Sequence, residues 1–170
     1  VYKRQVYSLK CLHADPNPGN IIIQPDGTIA LIDFGCVKHF SEDFVRRTRE
    51  AFPKALNSSD LNPVKIFIEY DLMQGSIPAD KEQEYNDLIC TFHKHIRKPY
   101  DVEYFDFGEN SGYVDDWFTM GKNMSVMYKH ITSDPDFIFM DRVRYGFLRF
   151  FTQMKAKVKI RNKYELGEHY

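Results

Sequence analysis

The 170 residues predict a mostly helical α+β fold, organised as a single domain over residues 1–170. Two β-branched runs, 21–23 and 28–32, flank a Pro-Asp-Gly turn and predict one short β-hairpin. After residue 41 the apolar residues recur at helical spacing, and Asn, Gly and Pro mark the ends of successive helices. We therefore expect a hairpin followed by a helical block.

The first helix of that block is predicted to begin after Ser41, an N-cap residue followed by two acidic residues that favour a helix N-terminus. Its expected buried face is Phe44, Val45, Thr48, Phe52, Ala55 and Leu56. A second helix is expected from Asn62-Pro63 through Leu72, with Gly75 closing it, and a third from Pro78 to Pro99. A loop is expected at 100–112. Two more helices are expected, one at 114–130 and one after Asp134-Pro135.

Composition limits the classes of function. A formal net charge of -1 predicts no general attraction to nucleic acid. The three cysteines lack the spacing of a disulfide framework or a zinc site, which favours a reducing compartment. No apolar run reaches the roughly 18 residues of a transmembrane helix. A cytoplasmic location, peripheral to a membrane, is the expectation.

The C-terminal part combines an apolar stripe with positive charge. Residues 141–163 hold eight basic residues and one acidic residue. The stripe expected on the last helix is Phe139, Met140, Val143, Phe147, Phe150, Phe151 and Met154. Such a helix with a basic flank suits an anionic membrane surface, through residues 139–163. The alternative is a core-facing stripe with a solvated cationic end.

The most informative pattern is His-x-Asp-x4-Asn at 13–20, followed by Asp-Phe-Gly at 33–35. This pattern is typical of the catalytic and metal-binding loops of kinase-like folds. The predicted hairpin leaves Asn20 and returns to Asp33, so both residues are expected at the same end of the ribbon. Asp15, Asn20 and Asp33 are therefore expected to face one cavity.

These residue types suit phosphoryl transfer, in which a protein mainly holds Mg2+ against phosphates and places an acceptor in line. Asp33 is expected to bind metal, and Asn20 to complete a second metal's shell. Asp15 is expected to orient the acceptor or take its proton, while His13 in the same catalytic loop holds the backbone. Alternatively, Asp15 and Asn20 only cap a turn and Asp33 ends a strand.

The sequence His-Ala-Asp-Pro-Asn-Pro-Gly-Asn, then Asp-Gly, then Leu-Ile-Asp-Phe-Gly resembles the UbiB/AarF family of atypical kinase-like proteins, also called the ABC1 or ADCK type. The likeness is strong over 12–56 and loose over 57–136, and 139–157 resembles the family's closing helix. Asn17 stands where His is most common in the family.

The resemblance implies ATP and Mg2+ as cofactors, with Asp15 as the catalytic-loop aspartate and with Asn20, Asp33 and Gly35 binding the nucleotide and its metal. It also implies a kinase-like C-terminal lobe whose N-terminal lobe lies outside this chain, so that the chain alone is expected to be inactive. Residues 1–5 are suspected to be non-native.

The implied function is that of an ATP-dependent kinase or ATPase linked to isoprenoid-quinone or lipid metabolism, including ubiquinone biosynthesis, with an isoprenoid lipid as a partner. One alternative is a phosphotransferase of the aminoglycoside- or choline-kinase type, which uses a similar catalytic loop. A second is a non-catalytic, lipid-binding pseudokinase module. The oligomeric state is left open.

Overall fold

A computed structural model of the protein describes residues 1–58 and 62–167. The α-helices are α1 (Tyr2–Arg4), α2 (Glu42–Asn57), α3 (Pro63–Glu69), α4 (Glu82–Arg97), α5 (Tyr113–Asn123), α6 (Pro135–Gln153) and α7 (Lys163–Leu166). The strands are β1 (Cys11–His13), β2 (Ile21–Ile23), β3 (Ile29–Leu31), β4 (Val37–His39), β5 (Met73–Gly75), β6 (Phe105–Asp106), β7 (Ile131–Ser133) and β8 (Lys157–Val158). The predicted mostly helical α+β class is confirmed.

The predicted hairpin is present as β2 and β3, with Ile21 opposite Leu31 and Ile23 opposite Ile29. Its turn is closed by the amide of Gln24, which donates to the carbonyl of Thr28 at 2.8 Å. Gly27 lies at a φ of 82°, a left-handed conformation that glycine adopts without strain. Local turn chemistry thus fixes the ribbon that follows Asn20.

Helix α2 begins where the sequence predicts. The Ser41 hydroxyl accepts a hydrogen bond from the Phe44 amide at 3.1 Å, which satisfies one amide of the helix's first turn. All six residues of the predicted face are buried, and Ala51 joins them. α2 therefore packs its predicted face into the core.

Predictions that assumed one β-hairpin were wrong, because the described residues form four two-stranded antiparallel ribbons. The helix predicted through Leu72 ends at Glu69, and β5 follows it and pairs with β7. Gly75 lies in that ribbon rather than closing a helix: a Cβ there would be 2.0 Å from the carbonyl oxygen of His130. The close approach of the two strands explains the glycine.

Two further boundaries also differ from the prediction. The helix predicted at 114–130 ends at Asn123 and continues as a 3-10 turn over Met124–Met127, before β7. The loop predicted at 100–112 contains β6, which pairs with β8. The pairing of β6 depends on a partner far along the chain, which the local pattern does not show.

Helix α6 borders two of the three apolar clusters that the described residues form. Phe137, Met140 and Val143 lie in the cluster around α2, and Leu148 lies in the cluster around α5. The predicted stripe is only partly buried, since Met154 is 45% exposed. The two halves of the helix thus pack on different neighbours. No helix in the described part of the chain has the length and apolar character needed to cross a bilayer.

The basic segment after α6 folds back onto the protein instead of extending from it. Asn162 caps α7 by accepting from the amides of Tyr164 and Glu165, each at 3.1 Å. Glu165 is fully buried and forms an ion pair with Lys3. The suspicion that residues 1–5 are non-native stays a prediction, although Lys3 takes part in this contact.

Glu165 is the centre of a buried polar network. Tyr100 donates to Oε2 at 2.5 Å and Arg144 donates to Oε1 at 3.2 Å. Burial alone would raise the pKa of Glu165, but the positive charges of Lys3 and Arg144 lower it to about 2. The network thus connects α1, the 3-10 turn Lys98–Tyr100 after α4, α6 and α7 through one ionised carboxylate.

Candidate active site

Strand β1 carries His13 into the loop at 13–20, the predicted catalytic loop, and two backbone contacts fix its position. The His13 amide donates to Oε1 of Gln5 at 3.0 Å, and the Ala14 amide donates to the carbonyl of Cys36 at 2.9 Å. Because β1 also pairs with β4, the segments before and after the Asp-Phe-Gly sequence are held side by side. The loop therefore starts from a rigid position.

Within the loop, the side chains of Asp15 and Asn20 are in direct contact. Nδ2 of Asn20 donates to Oδ2 of Asp15 at 2.9 Å, and Asn20 is only 8% exposed. With Nδ2 used in this way, Oδ1 of Asn20 is the atom that suits a cation. A carboxylate and a carboxamide oxygen thus lie together at the end of a 3-10 turn over Pro18–Asn20.

Asn17 has a structural role that the sequence reasoning missed. Its side chain caps the 3-10 turn by accepting from the Gly19 amide at 3.0 Å, and its carbonyl accepts from the Asn20 amide at 2.9 Å. Asn-Pro-Gly is a turn sequence, so the signal was available. Asn17 fixes the backbone of Asn20 rather than contributing a ligand atom.

The hairpin brings Asp33 back to Asn20. The Ile32 amide donates to the carbonyl of Asn20 at 3.0 Å, so Asp33 follows directly after the residue bound to Asn20. Asp33 lies at a φ of 58°, in the left-handed region, and its Oδ1 accepts from the Gly35 amide at 3.3 Å. A Cβ at Gly35 would lie 3.2 Å from that same oxygen. Gly35 therefore leaves space for the Asp33 carboxylate.

His13 contacts the same segment from the other side. Its Nε2 lies 3.0 Å from the carbonyl oxygen of Ile32, and because a carbonyl only accepts, Nε2 carries the proton. The ring also meets Phe34 edge-on with centroids 5.4 Å apart. Phe34 itself is 65% exposed. His13 thus holds the Asp-Phe-Gly segment against the 13–20 loop.

The donor set fits a nucleotide-bound magnesium ion. Among the described residues no group of three or more His, Cys, Asp or Glu side chains is placed to hold a metal alone. Mg2+ bound with a nucleotide needs only one or two carboxylates, because phosphate oxygens and waters complete its shell. Asp15, Asn20 and Asp33 offer two carboxylates and one amide oxygen.

The loop pattern, the hairpin that joins its two halves and the oxygen-rich donor set are those of kinase-like proteins. Residues 1–66 match the family model of the ABC1 atypical kinase-like domain. This match confirms the resemblance to the UbiB/AarF family over those residues, which include the segment that carries the candidate site.

A curated relative is similar over a shorter stretch. Forty residues are 42% identical to Protein ACTIVITY OF BC1 COMPLEX KINASE 3, chloroplastic, of Arabidopsis thaliana. The aligned part is 24% of this chain and 6% of that protein. The chain thus spans a small fraction of the relative's length.

Proposed function

We propose that this chain is the C-terminal lobe of an ATP-dependent atypical kinase or ATPase of the UbiB type. The observation that carries the proposal is the pair of contacts made by Asn20. Its side chain binds Asp15, and its carbonyl accepts from Ile32, the residue before Asp33. Asp15 and Asn20 are thereby in direct contact, and the backbone of Asp33 follows at the same end of the ribbon.

In this proposal Asp33 and Asn20 hold Mg2+ against the phosphates of ATP, and Gly35 gives the Asp33 carboxylate its space. Bound Mg2+ supplies neutralisation of the charge that develops on the transferred phosphoryl group. Asp15 orients the acceptor hydroxyl or water and takes its proton. His13 keeps the two halves of the site together through the Ile32 carbonyl.

A second, nucleotide-clamping lobe is proposed to complete the site. The apolar side chains near the ligands are exposed, which supports a covering partner: Ile22, Ile29, Ile32 and Phe34 are each more than 40% exposed. Without such a lobe the nucleotide would be held from one side only. We expect residues 1–170 alone to be inactive or nearly so.

The physiological substrate is proposed from family likeness alone. It is an isoprenoid-quinone or other lipid intermediate, with an anionic membrane or isoprenoid lipid contacting residues 139–163. Since β8 and α7 fold this segment back onto the protein, the membrane contact rests on exposed basic side chains such as Lys155, Lys157 and Lys159. The cytoplasmic location stays a prediction.

The test uses the full-length protein that contains this chain. Asp15→Asn is expected to lower kcat for ATP turnover by about 10²–10⁴-fold, the usual contribution of a general base, while Mg·ATP still binds. Asp26→Asn is the matched control, since Asp26 is an exposed carboxylate in the turn of the same hairpin. Its expected kcat is that of the wild type.

The outcomes separate the alternatives. Equal turnover by wild type and Asp15→Asn would contradict the enzymatic role and favour the non-catalytic module. Turnover that increases with an aminoglycoside or with choline, and not with lipid vesicles, would favour the small-molecule phosphotransferase. Stimulation by isoprenoid lipid would support the UbiB type.

A further inference from the structure

Helix α6 touches the catalytic loop at a glycine. A Cβ built on Gly146 would lie 2.3 Å from Cβ and 2.4 Å from Cγ of Pro16. Contacts between carbon atoms are normally about 3.5–4.0 Å, so any side chain at this position requires a shift of about 1 Å. Pro16 directly follows Asp15, the proposed catalytic aspartate.

The proline cannot yield by a change of rotamer. Its Cβ and Cγ belong to a ring that is closed onto the backbone nitrogen, and that ring fixes φ. Its Cα also lies 3.7 Å from the position of the added Cβ. Relief of the clash therefore moves the backbone of Pro16, and with it Asp15, or else moves α6.

Helix α6 is the less movable of the two. Met140 and Val143 are buried in the core on its inner face. Arg144, two residues before Gly146, donates to the buried carboxylate of Glu165. Shifting α6 would pull this guanidinium away from a fully desolvated partner, which is costly. We therefore expect the clash to be relieved by movement of the loop that contains Pro16 and Asp15, and not by movement of α6.

We infer that Gly146 is a positioning residue for Asp15, and that α6 sets the position of the catalytic aspartate through contact with Pro16. This inference rests on the proposed function. The Pro16 ring packs directly against the backbone of α6 at residue 146. This close packing is possible only because residue 146 has no side chain. Displacement of a catalytic group by about 1 Å costs about 100-fold in rate.

The experiment compares Gly146→Ala with Gly121→Ala in the full-length protein. Gly121 lies in helix α5, and the nearest atom to a Cβ there is Cζ of Phe92 at 4.0 Å. Both changes replace a helical glycine by alanine, but only the added methyl group at residue 146 would clash with the loop, at Pro16. Gly146→Ala is expected to lower kcat for ATP turnover about 100-fold with KM for Mg·ATP nearly unchanged. Gly121→Ala is expected to match the wild type.

A double variant tests whether Gly146→Ala lowers kcat through its contact with Pro16. Pro16→Gly removes both atoms that clash, so Pro16→Gly with Gly146→Ala is expected to have the same kcat as Pro16→Gly alone. A double variant that loses a further 100-fold would overturn the inference, because the effect of residue 146 would then not pass through Pro16. Unchanged kcat in Gly146→Ala would overturn it as well.

Hydrogen exchange keeps this test separate from the proposed function. The amides of Ala14, Gly19 and Asn20 are bonded within the loop region. They are expected to exchange faster in Gly146→Ala than in Gly121→Ala, whether or not the protein turns over ATP. Equal exchange in both variants would overturn the positioning role. Absence of turnover in the wild type, with faster exchange in Gly146→Ala, would refute the kinase proposal alone.

Discussion

Replacement of Glu165 by glutamine removes the charge that holds the buried network together. The carboxylate is fully buried and receives hydrogen bonds from Tyr100, Arg144 and Asn162 in addition to the Lys3 ion pair. Its pKa of about 2, against 4.5 for an ordinary glutamate, corresponds to about 3 kcal/mol of stability from the ionised form. Glutamine leaves two buried cations without their anion, so we expect Glu165→Gln to lose about 3–5 kcal/mol at pH 7.

The sign of the pH dependence follows from the lowered pKa. The stabilisation from Glu165 is fully present above pH 4.5 and is lost as the pH falls from about 4.5 towards 2, because the unfolded state binds the proton first. Urea unfolding followed by circular dichroism at several pH values measures this. The wild type should lose stability over that range more steeply than Glu165→Gln does.

A matched control is Glu84→Gln, which removes an exposed carboxylate from an ion pair with Lys81 at 2.9 Å. Solvent screens that pair, and no measurable loss of stability is expected. If Glu165→Gln were as stable as Glu84→Gln at pH 7, the reasoning about the buried network would be refuted.

Two further predictions concern local structure. Gly75→Ala is expected to destabilise the protein by more than Gly27→Ala, because only residue 75 meets a backbone atom, the His130 carbonyl; the left-handed conformation alone costs about 1–2 kcal/mol. Comparable unfolding midpoints in urea would contradict this. Ser41→Ala is expected to cost about 1 kcal/mol through loss of the bond to the Phe44 amide, with Ser41→Thr as the control that keeps a hydroxyl cap. Equal stability of the alanine and threonine variants would show that the cap contributes nothing.

The hairpin and helix α2 were predictable because their signals are local. A Pro-Asp-Gly turn between β-branched runs specifies the ribbon, and a serine cap with two acidic residues specifies the start of α2. The loop pattern at 13–20 and 33–35 also gave the candidate residues: Asp15 contacts Asn20, and Asp33 follows the residue whose amide is bonded to Asn20. Their role in binding stays a prediction.

Two of the three remaining ribbons, β5–β7 and β6–β8, were not predictable from local patterns. β5, β6, β7 and β8 are two or three residues long, and each pairs with a segment more than 50 residues away. Such short runs carry no period of their own. The roles of Glu165 and Gly146 were also hidden, since each depends on a partner distant in sequence: Lys3 for the first and Pro16 for the second.

The most direct test of the central claim is metal binding at Asp33. Mn2+ replaces Mg2+ in such sites, so its binding to the full-length protein with ATP is measurable by electron paramagnetic resonance. Asp33→Asn is expected to weaken this binding by at least about tenfold, since even an outer partner of a metal ligand contributes about 10–100-fold. Asp26→Asn, the same change elsewhere on the hairpin, is expected to bind as the wild type does. Equal Mn2+ affinity in both variants would contradict a metal–nucleotide site at the end of this ribbon.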